Sequence, residues 1–251
     1  MEPETAGDPQ SEQKWVRSSL RQLSRDLGAT GHAISPPTVG RLLKERDFSS
    51  ALPVFLDHHA QVHTARLQHG LPWSFQDEAL NGLSEVQLRL IPRGRPHSVA
   101  WLIWHITRVE DVTLNVLLAD SAQVLESGGW QGKLTTHFID TGNEMSEEEI
   151  ARLSAEINLK ALLAYRLAVG KRTRSIVRHL RPAALWQRPA PDSVQSIAAV
   201  GAVRADDSPL LTYWGQNLSA NLLLMPATRH GFLHLNEVQR LRPKLQSTKN
   251  S

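Results

Sequence analysis

The chain has 251 residues, of which 41% are hydrophobic and 21% charged, and its net charge is +3. That composition supports a buried core and excludes wholesale disorder, and no apolar run approaches the ~18 residues of a membrane-spanning helix. The chain has no cysteine, which excludes disulfide scaffolds, cysteine nucleophiles and thiolate zinc or iron–sulfur sites and suits a reducing, cytoplasmic setting.

The charge is unevenly spread. Residues 1–12 hold Glu2, Glu4, Asp8 and Glu12, no basic residue and two prolines. They read as a disordered leader without a secretory signal. Residues 13–46 hold Lys14, Arg17, Arg21, Arg25, Arg41, Lys44 and Arg46 against Asp26 and Glu45, a short basic module before a nearly neutral body. A helix is expected from about Ser11 to Leu27, with Trp15, Leu20, Leu23 and Leu27 on one side. Gly28 to Ile34 forms a turn, and Ser35-Pro36-Pro37 supplies an N-cap and a first-turn proline for a second helix to about Arg46. Two short helices joined by a glycine-bearing turn outline a helix-turn-helix over residues 13–50.

The body is expected to be helical. A first segment from Pro53 to Gln68 carries Val54, Phe55, Ala60, Val62 and Leu67 and ends at Gly70-Leu71-Pro72. Ser74, three residues before Asp77, starts a short helix to Leu80, and Ser84 to Leu90 gives another turn closed by Pro92. The strongest pattern runs from Pro96 to Leu118. Its nine apolar positions, from Val99 to Leu117, imply burial on more than one side. A loop holding Gly128, Gly129 and Trp130 follows. Ser146 and Glu149 form a capping box for a helix to about Glu156, and Asn158 caps another from Leu159 to Leu180, stopped by Pro182. Pro189 to Pro209 is rich in turn residues, Tyr213 to Leu224 fits helix or strand, and a last helix spans Ala227 to Leu241. Four long segments suffice for an all-α protein, a four-helix bundle over residues 51–245 with a tail at 246–251.

Eleven histidines are the unusual feature. A spacing of four stacks side chains on one helix face. Two pairs fit, His59 with His63 and His230 with His234, where chance placement would give about half a pair. His58, His69, His137 and His179 read as exposed or hydrogen-bonded. His105 lies inside the apolar run Trp101-Leu-Ile-Trp104-His105-Ile106, so a hydrogen bond or a metal must satisfy it. If the helices at 97–118 and 227–241 are neighbours, His105 completes a three-nitrogen site with His230 and His234. Three histidines with open positions are the arrangement of a catalytic metal site. Glu237 and Asp111 are the carboxylates near enough in sequence to orient a ligand histidine or to serve as a base; otherwise they are ordinary exposed carboxylates.

The stretch His97-Ser-Val-Ala-Trp-Leu-Ile-Trp-His-Ile-Thr-Arg-Val-Glu-Asp111 resembles the second bundle helix of the DinB-like superfamily. Met225-Pro-Ala-Thr-Arg-His-Gly-Phe-Leu-His-Leu-Asn-Glu237 resembles its last helix, and Leu83-Ser-Glu-Val-Gln-Leu-Arg-Leu-Ile-Pro92 its lead-in. The resemblance implies a four-helix bundle holding a divalent metal, zinc or nickel foremost, on His105, His230 and His234. It further implies a thiol-dependent transferase or isomerase using a low-molecular-weight thiol and acting on a small molecule. With a water in place of the thiol at the open position, the same metal would serve a metal-dependent hydrolase. A homodimer is allowed, and no membrane partner is expected. His59 and His63 fall outside the implied ligand set and read as surface or pocket-lining residues.

A second resemblance covers residues 5–50. Thr5-Ala-Gly-Asp-Pro-Gln, Lys14-Trp15, Ser19-Leu-Arg-Gln-Leu23 and Ile34-Ser-Pro-Pro-Thr-Val-Gly-Arg-Leu-Leu-Lys44 look like part of the DNA-binding region of DDE-type insertion-sequence transposases. It implies a recognition helix after Ser35, with Thr38, Arg41 and Lys44 at the major groove or its phosphates. Nothing after residue 50 looks like the catalytic domain of such enzymes. Half a module would bind DNA weakly and with little sequence choice. A DNA-associated regulator, or a fusion remnant in front of a structural bundle, is therefore the rival reading; a metal-free scaffold is the third.

Overall fold

The structure, a computed structural model, describes residues 5–7, 14–16, 25, 51–204 and 208–247. The chain forms two units, Met1–Ala51 and Leu52–Ser251.

In the first unit, β1 (Thr5–Gly7) pairs antiparallel with β2 (Lys14–Val16), with Thr5 opposite Val16 and Ala6 opposite Trp15. These residues are therefore extended, where the sequence suggests a disordered leader and the first turns of a helix. Thr5, Trp15 and Val16 are strand-favouring residue types, and they override the loose helical spacing. Arg25 is helical. The remainder of the expected helix-turn-helix, with Thr38, Arg41 and Lys44, lies outside the described residues.

The second unit is an all-α bundle. Within it, α1 covers residues 52–62 and gives way at His63 to a 3₁₀ turn, Ala65–Leu67. The short helices α2 (Phe75–Leu80) and α3 (Glu85–Arg89) start where their caps predict. Ser74 accepts from the Asp77 amide, and Ser84 and Gln87 close a capping box. α4 (Val99–Asp111) is capped by Ser98 and every one of its residues is buried, as its apolar surface on several sides requires. It continues as a π-helical segment, Val112–Leu118. Here the Thr113 hydroxyl and the Asn115 amide donate to the Val109 and Asp111 carbonyls and compete for acceptors of the regular ladder.

The loop after it holds two short helices, α5 (Val124–Ser127) and α6 (Trp130–Leu134). α7 (Glu147–Glu156) has the expected Ser146–Glu149 capping box, and Asn158 caps the 21-residue α8 (Leu159–His179). The stretch without a clear pattern contains α9 (Pro191–Ala199), which opens on a first-turn proline, and α10 (Ser208–Gln216). α11 (Ser219–Leu224), a π segment (Met225–His230) and α12 (Gly231–Ser247) then run on end to end. The helix passes through Pro243 instead of stopping near Leu241. The buried Leu245 side chain and a Gln87 bond to its carbonyl hold the last turns down.

The main core joins α4 (Trp101, Leu102, Ile106), α8 (Leu162, Tyr165, Val169) and α12 (Leu235, Val238, Leu241). A smaller cluster of Phe55, Leu114, Ile176, Leu223 and Ala227 ties together α1, the π segment after α4, α8, α11 and the π segment after it. Their contact brings the histidines of α4 and α12 onto neighbouring helices.

Candidate metal centre

The sequence places His105 seven residues into α4 and the His230–His234 pair across the junction of the last π segment with α12. Pro226 has no N–H to donate, so the ladder widens to π spacing over Met225–His230 before the regular helix resumes at Gly231. The Nε2 atoms of His105 and His234 each lie 3.1 Å from Nε2 of His230. All three ligand atoms fall within 4.8 Å of one another.

Two of the rings are fixed from behind. Nδ1 of His105 lies 2.6 Å from the Thr141 carbonyl, which can only accept, so Nδ1 carries the proton and Nε2 is a bare lone pair. Nδ1 of His234 lies 3.1 Å from a Glu237 carboxylate oxygen and donates in the same way. His97 Nδ1 stands 3.6 Å from the other Glu237 oxygen. The hydrogen bond from His234, with His97 beside it, holds the Glu237 carboxyl down at about 2. The His97, Trp101 and His105 rings stack at centroid spacings of 3.8 and 4.8 Å, which fixes the tilt of His105.

These nitrogens fit a metal. One proton on His230 Nε2 cannot satisfy two facing lone pairs at once, whereas a shared cation can. Bonds of about 2.0–2.1 Å in tetrahedral or octahedral geometry put neighbouring ligand atoms about 2.8–3.4 Å apart. The 3.1 Å spacings match. Burial keeps the rings neutral: it lowers His105 to about 4, against the upward pull of the Thr141 bond. It lowers His230 to about 2, with His105, His234 and Arg166 adding. Neutral imidazole is the form that ligates.

Glu237 thus touches the site. Asp111 does not. It is fully buried, and its oxygens accept from Arg108 (3.1 Å), Asn115 (2.8 Å), the amides of Val124 (2.8 Å) and Leu125 (3.0 Å), and the Tyr165 hydroxyl. Six positions beyond His105, it has gone round the helix into another network. Its influence is indirect, because the Arg108 it holds donates to the Ile139 carbonyl at 2.7 and 3.0 Å, two residues before Thr141. On the other side, Gly142 adopts φ +89°, and a Cβ there would press the Trp101 ring at 3.3 Å.

Two comparisons bear on this geometry. A family model described as the DinB superfamily matches residues 73–204, more than half of the chain. The chain belongs to the DinB superfamily. Within this DinB protein the match includes His105 and ends before His230 and His234, which the fold brings to it. A model described as a Rhodopirellula transposase DDE domain matches residues 1–61. No curated protein matches the sequence.

The expectation for His59 and His63 is corrected. Both are buried, with Glu110, in a second group that could hold a metal. Their i, i+4 spacing was visible in the sequence, but Glu110 is 47 residues beyond His63, so nothing local marks it as their partner. Burial pushes His63 well below its ordinary value, with Arg166 adding to the effect. His58, His69, His137 and His179 are exposed as expected. Among the described residues, no helix is long and apolar enough to cross a membrane.

Proposed function

We propose that this DinB-superfamily protein holds one divalent ion, zinc or nickel foremost, on Nε2 of His105, His230 and His234, and acts on a small molecule as a thiol-dependent transferase or isomerase or as a metal-dependent hydrolase. The convergence of three Nε2 atoms, two of them stripped of protons by Thr141 and Glu237, carries this reading. An ion there supplies the positive charge that lowers the pKa of a low-molecular-weight thiol or a water. The chain's own residues do the rest. Thr141 and Glu237 keep the rings aimed, and the Trp101 stack shields one side of His105. The test is metal analysis of the purified protein beside His105→Ala, His230→Ala and His234→Ala. Loss of one ion per chain in each variant is expected; undiminished metal in all three would refute the ligand set.

A second reading is favoured by the transposase-domain match over residues 1–61. In it the N-terminal unit associates weakly with DNA through Thr38, Arg41 and Lys44, and the bundle is its structural partner. Salt-sensitive mobility shifts that vanish when residues 1–50 are removed support this reading. No shift in either form leaves the bundle as the functional unit.

A further inference from the structure

The second histidine group shares no ligand residue with the first, although Arg166 acts on both. His59 and His63 project from the end of α1, with ring centroids 5.2 Å apart, and face Glu110 on α4 and Thr173 on α8. All four residues are at most 1% exposed. One Glu110 oxygen is well used: it accepts from the Thr173 hydroxyl at 2.7 Å and lies 2.9 Å from His59 Nε2. The other is not. His63 Nε2 and Arg166 Nη1 each stand 3.8 Å from it, too far to hydrogen-bond. Both nitrogens of His63, Nδ1 of His59 and Nη1 of Arg166 are buried without a hydrogen-bond partner. Sealed polar atoms normally have partners, and exceptions ask for a missing one.

Space has been made for this ring. A Cβ at position 170 would lie 2.7 Å from His63 Nε2 and 2.9 Å from a Leu67 methyl, so only glycine lets the imidazole lie against α8. The donor atoms of His59, His63 and Glu110 all fall within 4.8 Å of one another, and the two Nε2 atoms lie 2.9 and 3.8 Å from Glu110 oxygens; bonds of about 2.0–2.2 Å to a single ion put ligand atoms about 2.8–3.6 Å apart, so small side-chain shifts close the site. The ligand chemistry selects the class. Two imidazoles and one carboxylate suit a borderline transition ion and not the oxygen-seeking calcium or magnesium. Arg166 opposes any cation here, so affinity must come from coordination by nitrogen.

We propose that His59, His63 and Glu110 form a second, buried binding site for a divalent transition metal of the zinc class, with Thr173 orienting the Glu110 carboxylate. The site is separate from the His105 group and does not depend on that group's assignment.

Chelator-stripped full-length protein, titrated with Zn2+ or Co2+ and analysed for bound metal by mass spectrometry, tests it. Two ions per wild-type chain are expected, with one in His63→Gln and one in His230→Ala. A single ion kept by His230→Ala and lost by His63→Gln supports this site and refutes the other. A single ion kept by His63→Gln, or no ion in the wild type, overturns the proposal. Arg166→Met adds a measure that does not require losing a ligand. With the opposing charge gone, the second zinc should bind at least tenfold more tightly, and an unchanged Kd for that ion counts against the site.

Discussion

Two histidine pairs with the same helical spacing end in opposite surroundings. His230 and His234 are partly exposed and meet a buried third ring whose proton a backbone carbonyl has claimed. His59 and His63 are wholly buried and meet a carboxylate already balanced by Arg166. Spacing put each pair on one face of its helix, and the facing helix decided the chemistry. α4 serves both, presenting His105 to one side and Glu110, five residues on, to the other.

If that contrast is right, Glu110 is a structural charge and Glu237 a local one. Glu110→Ala strands a buried arginine without its counter-charge and should cost about 3–5 kcal/mol. Glu237→Ala, at a carboxylate 29% exposed, should cost less than about 1 kcal/mol. Urea denaturation of the two variants measures both, and equal losses would erase the distinction.

The next largest effect is on metal. His230→Ala removes the nitrogen that lies nearest to both others and should weaken binding at the His105 group by more than about 100-fold. Competition with a chromophoric chelator reads this directly, and a smaller loss would mean that His105 and His234 suffice alone. Glu237→Gln keeps the shape and removes the charge behind His234. A loss of about 10–100-fold is expected, with the unfolding midpoint almost unmoved. A shifted midpoint with unchanged affinity would recast Glu237 as structural.

Sequence patterns made the helices easy to read, because Ser74, Ser84, Ser146 and Asn158 are local signals that act within one turn. They missed α9, where Pro191 opens a helix without a capping side chain, and they ended the last helix near Leu241, whereas the burial of Leu245 carries α12 on through Pro243. The three-histidine group was legible because a helical pair and one polar residue in an apolar run are both visible in one dimension. Glu110 was not, since a carboxylate in the most apolar helix gains a role only from α1 and α8 packed against it. Asp111 misled for a related reason. Its nearness in sequence to His105 said nothing of the helix turn that aims it at Arg108 and Tyr165.

Acid tests the neutrality of His105 directly. In the metal-free protein His105 takes a proton only near 4, because burial opposes its charge, whereas the unfolded chain takes it near the ordinary value of about 6.5. Below that value the unfolded state binds more protons than the folded one, so stability must fall as pH falls, by about 1 kcal/mol per pH unit for this one ring. The loss should begin near pH 6.5 and flatten towards pH 4. His105→Gln should remove that portion of the slope in chelator-treated protein, measured by urea unfolding at a series of pH values. A slope unchanged in the variant would mean that His105 titrates normally, and its neutrality could then not be what keeps Nε2 free for an ion.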